Sequence, residues 1–337
     1  MTPVELSRTV LHAVRRAVDA GELKVTVPER VVVGEPGPGG CGDYATNVAL
    51  RIAGAAGRKP LEVAEVLRAR LVEVDGIRDV VITGPGFLNI SLSRSADPAP
   101  GVVREIRELG AGYGCGEELA GQVVVLRVPY DVRAEVVADA VARIVATQGG
   151  RAEVEHGEPV NLRPVPAAED PAPLGADAAQ WALLYPAAHD RPRITADHLV
   201  QRESNPLFRV RYAHARVRSV SRNAARLGFD ADAGPLADTD ANPTGTGDVA
   251  LVRPLVAALA AHPRILAAAA THRAPDRVAR HLVTVADAVL PFVPTVLPSG
   301  EEKPSAAHRA RLALAEAAGT VLAGGLSLLG IDAPEHL

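Results

Sequence analysis

The apolar positions change period along this chain, and the changes divide it. Leu6, Val10, Leu11 and Val14 recur at helical spacing. Thr2 and Glu5 have capping-box spacing, and Pro3 suits a first helical turn. "KVTV" (24–27) and "RVVV" (30–33) read as strands, and "GEPGPGGCG" (34–42) reads as a loop. A helix is expected from about Asp43, whose carboxylate is a good N-cap, to Gly57. "KPLEVAEVLRARL" opens another, with Pro60 near its first position. "DVVIT" and "FLNISLS" read as strands hinged at "GPG" (84–86).

A helix and a Gly-rich turn are expected over 96–120. "VVVLRV", a helix capped by Asp131, and "AEVEH" then form one strand–helix–strand unit. The helix keeps Val137, Ala140, Val141, Ile144 and Val145 on one face, and Gly149-Gly150 ends it. One such unit cannot cover its own sheet and must lean on its neighbours. Residues 157–176 carry five prolines and read as a linker. Beyond about 178 the pattern is helical apart from a loop at 231–247, with turns expected at "HP" (262–263), "AP" (274–275) and "PSGEEKPS" (298–305).

At 337 residues the chain is long enough for two or three domains. A net charge of −4 gives no global sign of nucleic-acid binding, so such a role must rest on a local basic face. Cys41 and Cys115 show neither a metal-site nor a disulfide pattern. The N-terminus lacks the long apolar core of a signal peptide, and no run approaches the ~18 consecutive apolar residues of a membrane span. These features lead to the expectation of a cytoplasmic protein without a membrane partner.

No nucleotide-binding, nucleophile-elbow or zinc-protease motif occurs, and His262, His272 and His281 have no ligand spacing. No catalytic residue, metal or cofactor is therefore expected. The strongest local signal is "NPLFRVRYAHARVRSVSRNAARLGF" (205–229). On a helical wheel, Val210, Ala213, Val217, Val220 and Ala224 share one arc, opposite Arg211, His214, Arg218, Arg222 and Arg226. The stretch holds six arginines and no acidic residue. Such a face meets either acidic groups from elsewhere in the fold, for which the 230–240 loop is the sequence candidate, or a polyanion.

Three separated stretches carry a resemblance. "GDYATNVAL", "KPLEVAEVL" and "GPGFLNISL" resemble, in order and spacing, the N-terminal additional domain of bacterial arginyl-tRNA synthetases. "NPLFRVRYAHARV" is similar to the opening helix of that family's DALR-type anticodon-binding domain, and the tail ending "LLGIDAPEHL" is similar to its close. The resemblance implies an α+β chain. An N-terminal additional domain would span 1–95, a remnant βαβ unit with a linker 96–176, and an all-helical anticodon-binding bundle 177–337. It implies a tRNA partner, tRNA-Arg. The elbow-facing surface would carry Asp43, Tyr44, Asn47, Phe87 and Asn89, since an aromatic ring and amides suit an unstacked RNA base. The anticodon-facing surface would carry Arg211, Tyr212, His214, Arg218 and Arg222.

The middle departs from the family. Where a HIGH-type sequence is expected the chain reads "VVVLRVPYDVRAEVV", no KMSKS-type loop follows, and no lysine lies between Lys59 and Lys303. The expected role is therefore tRNA binding without charging. Two alternatives are a regulatory or protein-interaction module, such as a homodimer through surface left open by the missing domain, and an accessory protein or enzyme of an aminoacyl-tRNA-dependent pathway.

Overall fold

The computed structural model describes residues 3–37, 39–92, 98–234, 236 and 246–337. They form two compact units, Met1–Gly101 and Val102–Leu337, and the architecture is α+β.

The first unit holds α1 (Pro3–Asp19), β1 (Val33–Gly34), β2 (Tyr44–Thr46), α2 (Val48–Ala56), α3 (Pro60–Val72), β3 (Ile77–Thr83) and β4 (Phe87–Leu92). Its sheet is antiparallel in the order β1-β2-β4-β3. Leu6, Val10 and Val14 of α1 and Val63, Leu67 and Leu71 of α3 join Leu88, Ile90 and Leu92 of β4 in one core. Side chains alternate along a strand, so Phe87, Asn89 and Ser91 occupy the opposite sheet face. The "GPG" hinge pairs Thr83 with Phe87 as the spacing predicts.

Two expectations fail here. Residues 24–27 form no strand, and of 30–33 only Val33 pairs, with Thr46. Pro28 removes a ladder donor, and the short β2 offers no longer edge to pair with. Nor does a helix begin at Asp43. Tyr44–Thr46 is drawn into the sheet by pairing with Leu88–Ile90, and α2 starts at Val48. The Asp43 carboxylate instead accepts the Leu92 N–H at 2.8 Å. Gly57 ends α2 as expected, at a left-handed φ of 63° that favours glycine. Thr2, half of the expected capping box, lies outside the described residues.

After α4 (Pro98–Leu109), the second unit runs through β5 (Val123–Val128), α5 (Val132–Thr147), β6 (Arg151–His156), α6 (Ala176–Leu184), α7 (Pro206–Arg226), α8 (Thr246–His272), α9 (Asp276–Phe292) and α10 (Ala306–Leu328). β5 and β6 pair in parallel. Asp131 caps α5 by accepting the Ala134 N–H at 3.1 Å. The predicted face of α5 is buried against α6, α8 and α10, so the bundle supplies the cover that the small sheet lacks.

Residues 186–205 contain two prolines, Pro186 and Pro192, and are mostly irregular rather than helical. The "HP" turn is absent too. α8 runs through both Pro254 and Pro263, with Leu255, Leu259 and Leu266 buried on either side. Their packing outweighs the backbone hydrogen bonds that the prolines remove. Gly325 lets α10 approach α9 closely, because a Cβ there would collide with the Leu282 side chain. By length and composition, Ala250–His272 of α8 is apolar enough to cross a membrane. In this fold that segment packs against α5, α9 and α10.

Candidate nucleic-acid interface

α7 starts from Asn205, whose Oδ1 accepts the Leu207 and Phe208 N–H groups while its amide donates to the carbonyls of His198 and Val200. Val210, Ala213, Val217, Val220 and Ala224 are buried as the wheel predicts. Phe208 and Tyr212, one turn apart, stack at 5.5 Å, and Tyr212 is 39% exposed. An exposed aromatic beside arginines can stack a base and contact its backbone.

The arginine face has acidic partners, drawn from three separate elements. Arg211 meets Asp177 of α6 at 3.3 Å, and Arg209 meets Asp287 of α9 at 3.1 Å. Glu335, near the end of the chain, accepts from both Nε and Nη2 of Arg218, at 3.2 and 2.8 Å, and lies 3.6 Å from Arg222. Arg218 and Arg222 hold the Glu335 carboxyl below its ordinary value. Positions 235 and 237–240 of the loop expected to supply this pairing lie outside the described residues.

His214 is buried rather than displayed with the arginines, and its Nδ1 donates to the Pro334 carbonyl at 2.9 Å. Burial, reinforced by Arg218, lowers its pKa, so the neutral ring is favoured. Thus Arg211, Arg218 and Arg222 do share a side of α7, Tyr212 lies beside it, and His214 anchors the tail beneath.

In the first unit the five predicted residues are divided between surfaces. Tyr44 pairs with Ile90 and packs half-buried on the helix-covered side, where burial, with Asp43 and Glu35, raises its phenol pKa. Phe87 is 41% exposed on the other face. Asn89, on that same face, is 1% exposed. Its Oδ1 accepts the Cys41 N–H, and its amide donates to Thr83 Oγ1 at 2.7 Å and to the Val81 carbonyl. Its polar atoms pin the 40–42 loop to the sheet. Asn47 is exposed at the head of α2, with no cap bond from its side chain. Asp43 is exposed, with its carboxylate tied to Leu92.

Two buried features of the second unit escape a sequence reading. Arg133 has no exposed surface and donates to the carbonyls of Leu183, Val165, Asp190, Pro186 and Ala187 at 2.6–3.0 Å. Its one sequence signal is a cation in the first turn of a helix, where the dipole disfavours it. Elsewhere in the second unit, the rings of Tyr113, His262 and His281 stack in series at 5.8 and 5.2 Å. Burial lowers the His262 pKa to about 3 and that of His281 to about 4. No group of three or more potential metal ligands occurs among the described residues.

These geometries sit within recognisable sequence domains. The profile described as "Arginyl tRNA synthetase N terminal domain" matches residues 5–92, and "DALR anticodon binding domain" matches 210–337. The chain belongs to the arginyl-tRNA synthetase family. It is 48% identical to the arginine–tRNA ligase of Frankia alni over 114 residues, covering 34% of this chain and 20% of that one. It is 37% identical to the enzyme of Pseudarthrobacter chlorophenolicus over 169 residues, covering 46% and 30% respectively. Matched stretches of this arginyl-tRNA synthetase relative thus span only a fifth to a third of those enzymes. Its fold resembles that of Thermus thermophilus arginyl-tRNA synthetase, with a TM-score of 0.57, 15% identity and 100% of both chains covered. For the Plasmodium falciparum enzyme the TM-score is 0.60 at 9% identity, with 99% of both chains covered. The two matched domains support a tRNA-related function at the level of the family.

Proposed function

We propose that this chain binds tRNA, specifically tRNA-Arg, in the cytoplasm and does not charge it. One observation carries the reading: two domains of a tRNA-handling family flank an interval, 93–209, whose described residues hold one βαβ unit. The strand-to-helix turn of that unit is Pro129-Tyr130-Asp131, with no histidine and no lysine to meet ATP phosphates. Adenylate chemistry depends on such preorganised cations. The working division is an elbow-facing domain at 1–95, a remnant at 96–176 and an anticodon-facing domain at 177–337.

Within the second unit, Tyr212 and the Arg211–Arg218–Arg222 side of α7 form the anticodon-facing surface. Glu335 holds two of these arginines until a phosphate replaces it. Within the first, Asn47 and Phe87 have exposed side chains available to a base, while Asp43, Tyr44 and Asn89 shape the sheet around them. The test is to sequence RNA that co-purifies with the whole chain and to assay arginine-dependent pyrophosphate–ATP exchange. Enriched tRNA-Arg with no exchange is expected. Exchange above that of a boiled sample overturns the non-charging half, and absence of bound or bindable tRNA overturns the binding half.

A second reading, a protein partner or a second copy on the βαβ unit, is favoured by Tyr130 at 88% exposure and Val132 at 59%. A concentration-dependent doubling of mass without RNA is its signature.

A further inference from the structure

The first unit carries a basic groove that belongs to neither surface described above. It is a cavity of about 500 Å³ along α1, bounded by Arg70 and Val74 at and beyond the end of α3. Arg8, His12 and Arg15 line it at helical i, i+4, i+7 spacing, with Arg16 beside them. From Leu6 to Val18, α1 contains no acidic residue. Two of the groove's cations are already held: Arg70 is paired with Glu22 at 2.9 Å, and Arg16 lies 3.9 Å from Glu73. Arg8 and Arg15 are exposed, and no carboxylate pairs with either among the described residues. Among the described residues no acidic side chain lines the cavity.

We propose that this groove is a binding site for the phosphate backbone of RNA. Four guanidinium groups and an imidazole along one cavity offer donors to anionic oxygens, and guanidinium matches phosphate in a two-point fork. Arg8 and Arg15 are seven residues apart, roughly 10 Å along the helix, so two phosphates of one backbone fit the spacing better than a lone small anion. α1 and α3 cover the core face of the sheet, whereas Phe87 stands on the other face. The groove therefore gives this unit a backbone-holding surface on its helical side, separate from its exposed aromatic. This inference rests on the tRNA-binding reading and adds the place where the first unit holds the polyanion.

The test uses the whole chain and labelled bulk tRNA, titrated by anisotropy from low to moderate salt. Arg8→Gln with Arg15→Gln is compared with Arg51→Gln with Arg58→Gln, which removes two exposed arginines of the same unit elsewhere. The groove variant is expected to lower the slope of log K against log salt by ~1.4 to ~1.8, because two phosphates are no longer neutralised, and to weaken binding at least tenfold at low salt. The control pair is expected to bind as the wild type. Equal behaviour of the two variants, with wild-type binding intact, overturns the groove and leaves the tRNA reading standing. A wild type that binds no tRNA overturns that reading and the groove with it. Loss of adhesion to phosphatidylserine vesicles with unchanged tRNA binding assigns the groove to a membrane surface and overturns the proposal.

Discussion

Arg8 and Arg15 of the first unit and the arginines of α7 in the second are used in opposite ways. In the second unit the chain supplies its own acceptors: Arg133 meets five backbone carbonyls, and Arg209, Arg211, Arg218 and Arg222 meet Asp287, Asp177 and Glu335. In the first, Arg8 and Arg15 face a groove without a paired carboxylate among the described residues. α1 and α7 look alike as sequence, each an amphipathic helix with a basic stretch free of acids. Only the fold separates them, because α7's acidic partners lie on α6, on α9 and near residue 335. Local composition thus measures how much positive charge a helix carries, while tertiary structure decides how much of it remains for a ligand.

The most severe test of this contrast is the same substitution in both settings. Arg133→Met takes the guanidinium donors from five carbonyls, of which Ala187 alone keeps a further donor, the Asp190 N–H at 2.9 Å, and should destabilise the second unit by about 3 kcal/mol or more. Arg8→Met should change the melting of the first unit by about 0.5 kcal/mol or less, because its side chain is solvated. Thermal or urea unfolding of the two variants checks the pair. A mild effect at Arg133 would mean that the 183–190 turn repacks without its anchor.

A second effect separates the units through pH. His262 and His281 are held neutral by burial, with His281 adding to the depression of His262 and Arg264 to that of His281. Their folded pKa values, about 3 and about 4, lie below the ordinary value of 6.5. Between those limits the unfolded chain binds more protons, so stability rises with pH. The contribution is complete above about 6.5 and is lost as pH falls toward 4, at up to roughly 1.4 kcal/mol per pH unit for each ring. The melting temperature of the second unit should therefore fall between pH 6.5 and 4.5, and His281→Leu should flatten the decline. An equal decline in that variant would place the acid sensitivity elsewhere.

What the sequence made legible follows the same division between local and distant. The Thr83–Phe87 hairpin, the Asp131 cap, the buried arc of α7 and the cover over α5 all follow from period, capping chemistry and the needs of a small parallel sheet. The strand at Tyr44–Thr46 was not legible. Asp43 has the chemistry of a helix cap, and only pairing with β4 sends its carboxylate to Leu92 instead. The division of Tyr44 from Phe87 and Asn89 depends on that register, which no local pattern contains. His214 belonged to the charged face on the wheel, but the Pro334 carbonyl that claims it is 120 positions away.

The finest distinction concerns salt rather than stability. Glu335 already neutralises part of the charge on Arg218 and Arg222, so RNA that binds there releases fewer counterions than the arginine count suggests. Arg218→Gln with Arg222→Gln should therefore reduce the salt slope of tRNA binding less than Arg8→Gln with Arg15→Gln does. Glu335→Gln should act in the reverse direction, strengthening binding a few-fold at low salt and steepening the slope by roughly one unit, since the freed guanidinium groups would gather counterions for RNA to displace. The carboxylate is held below its ordinary pKa, so the clamp is present at neutral pH and is lost as pH falls through that lowered value. The gain from Glu335→Gln should accordingly be read at pH 7, where the wild-type carboxylate is fully charged. Unchanged affinity and slope in that variant would show that RNA does not compete with the tail for α7, and would leave the groove on α1 as the basic surface that governs binding.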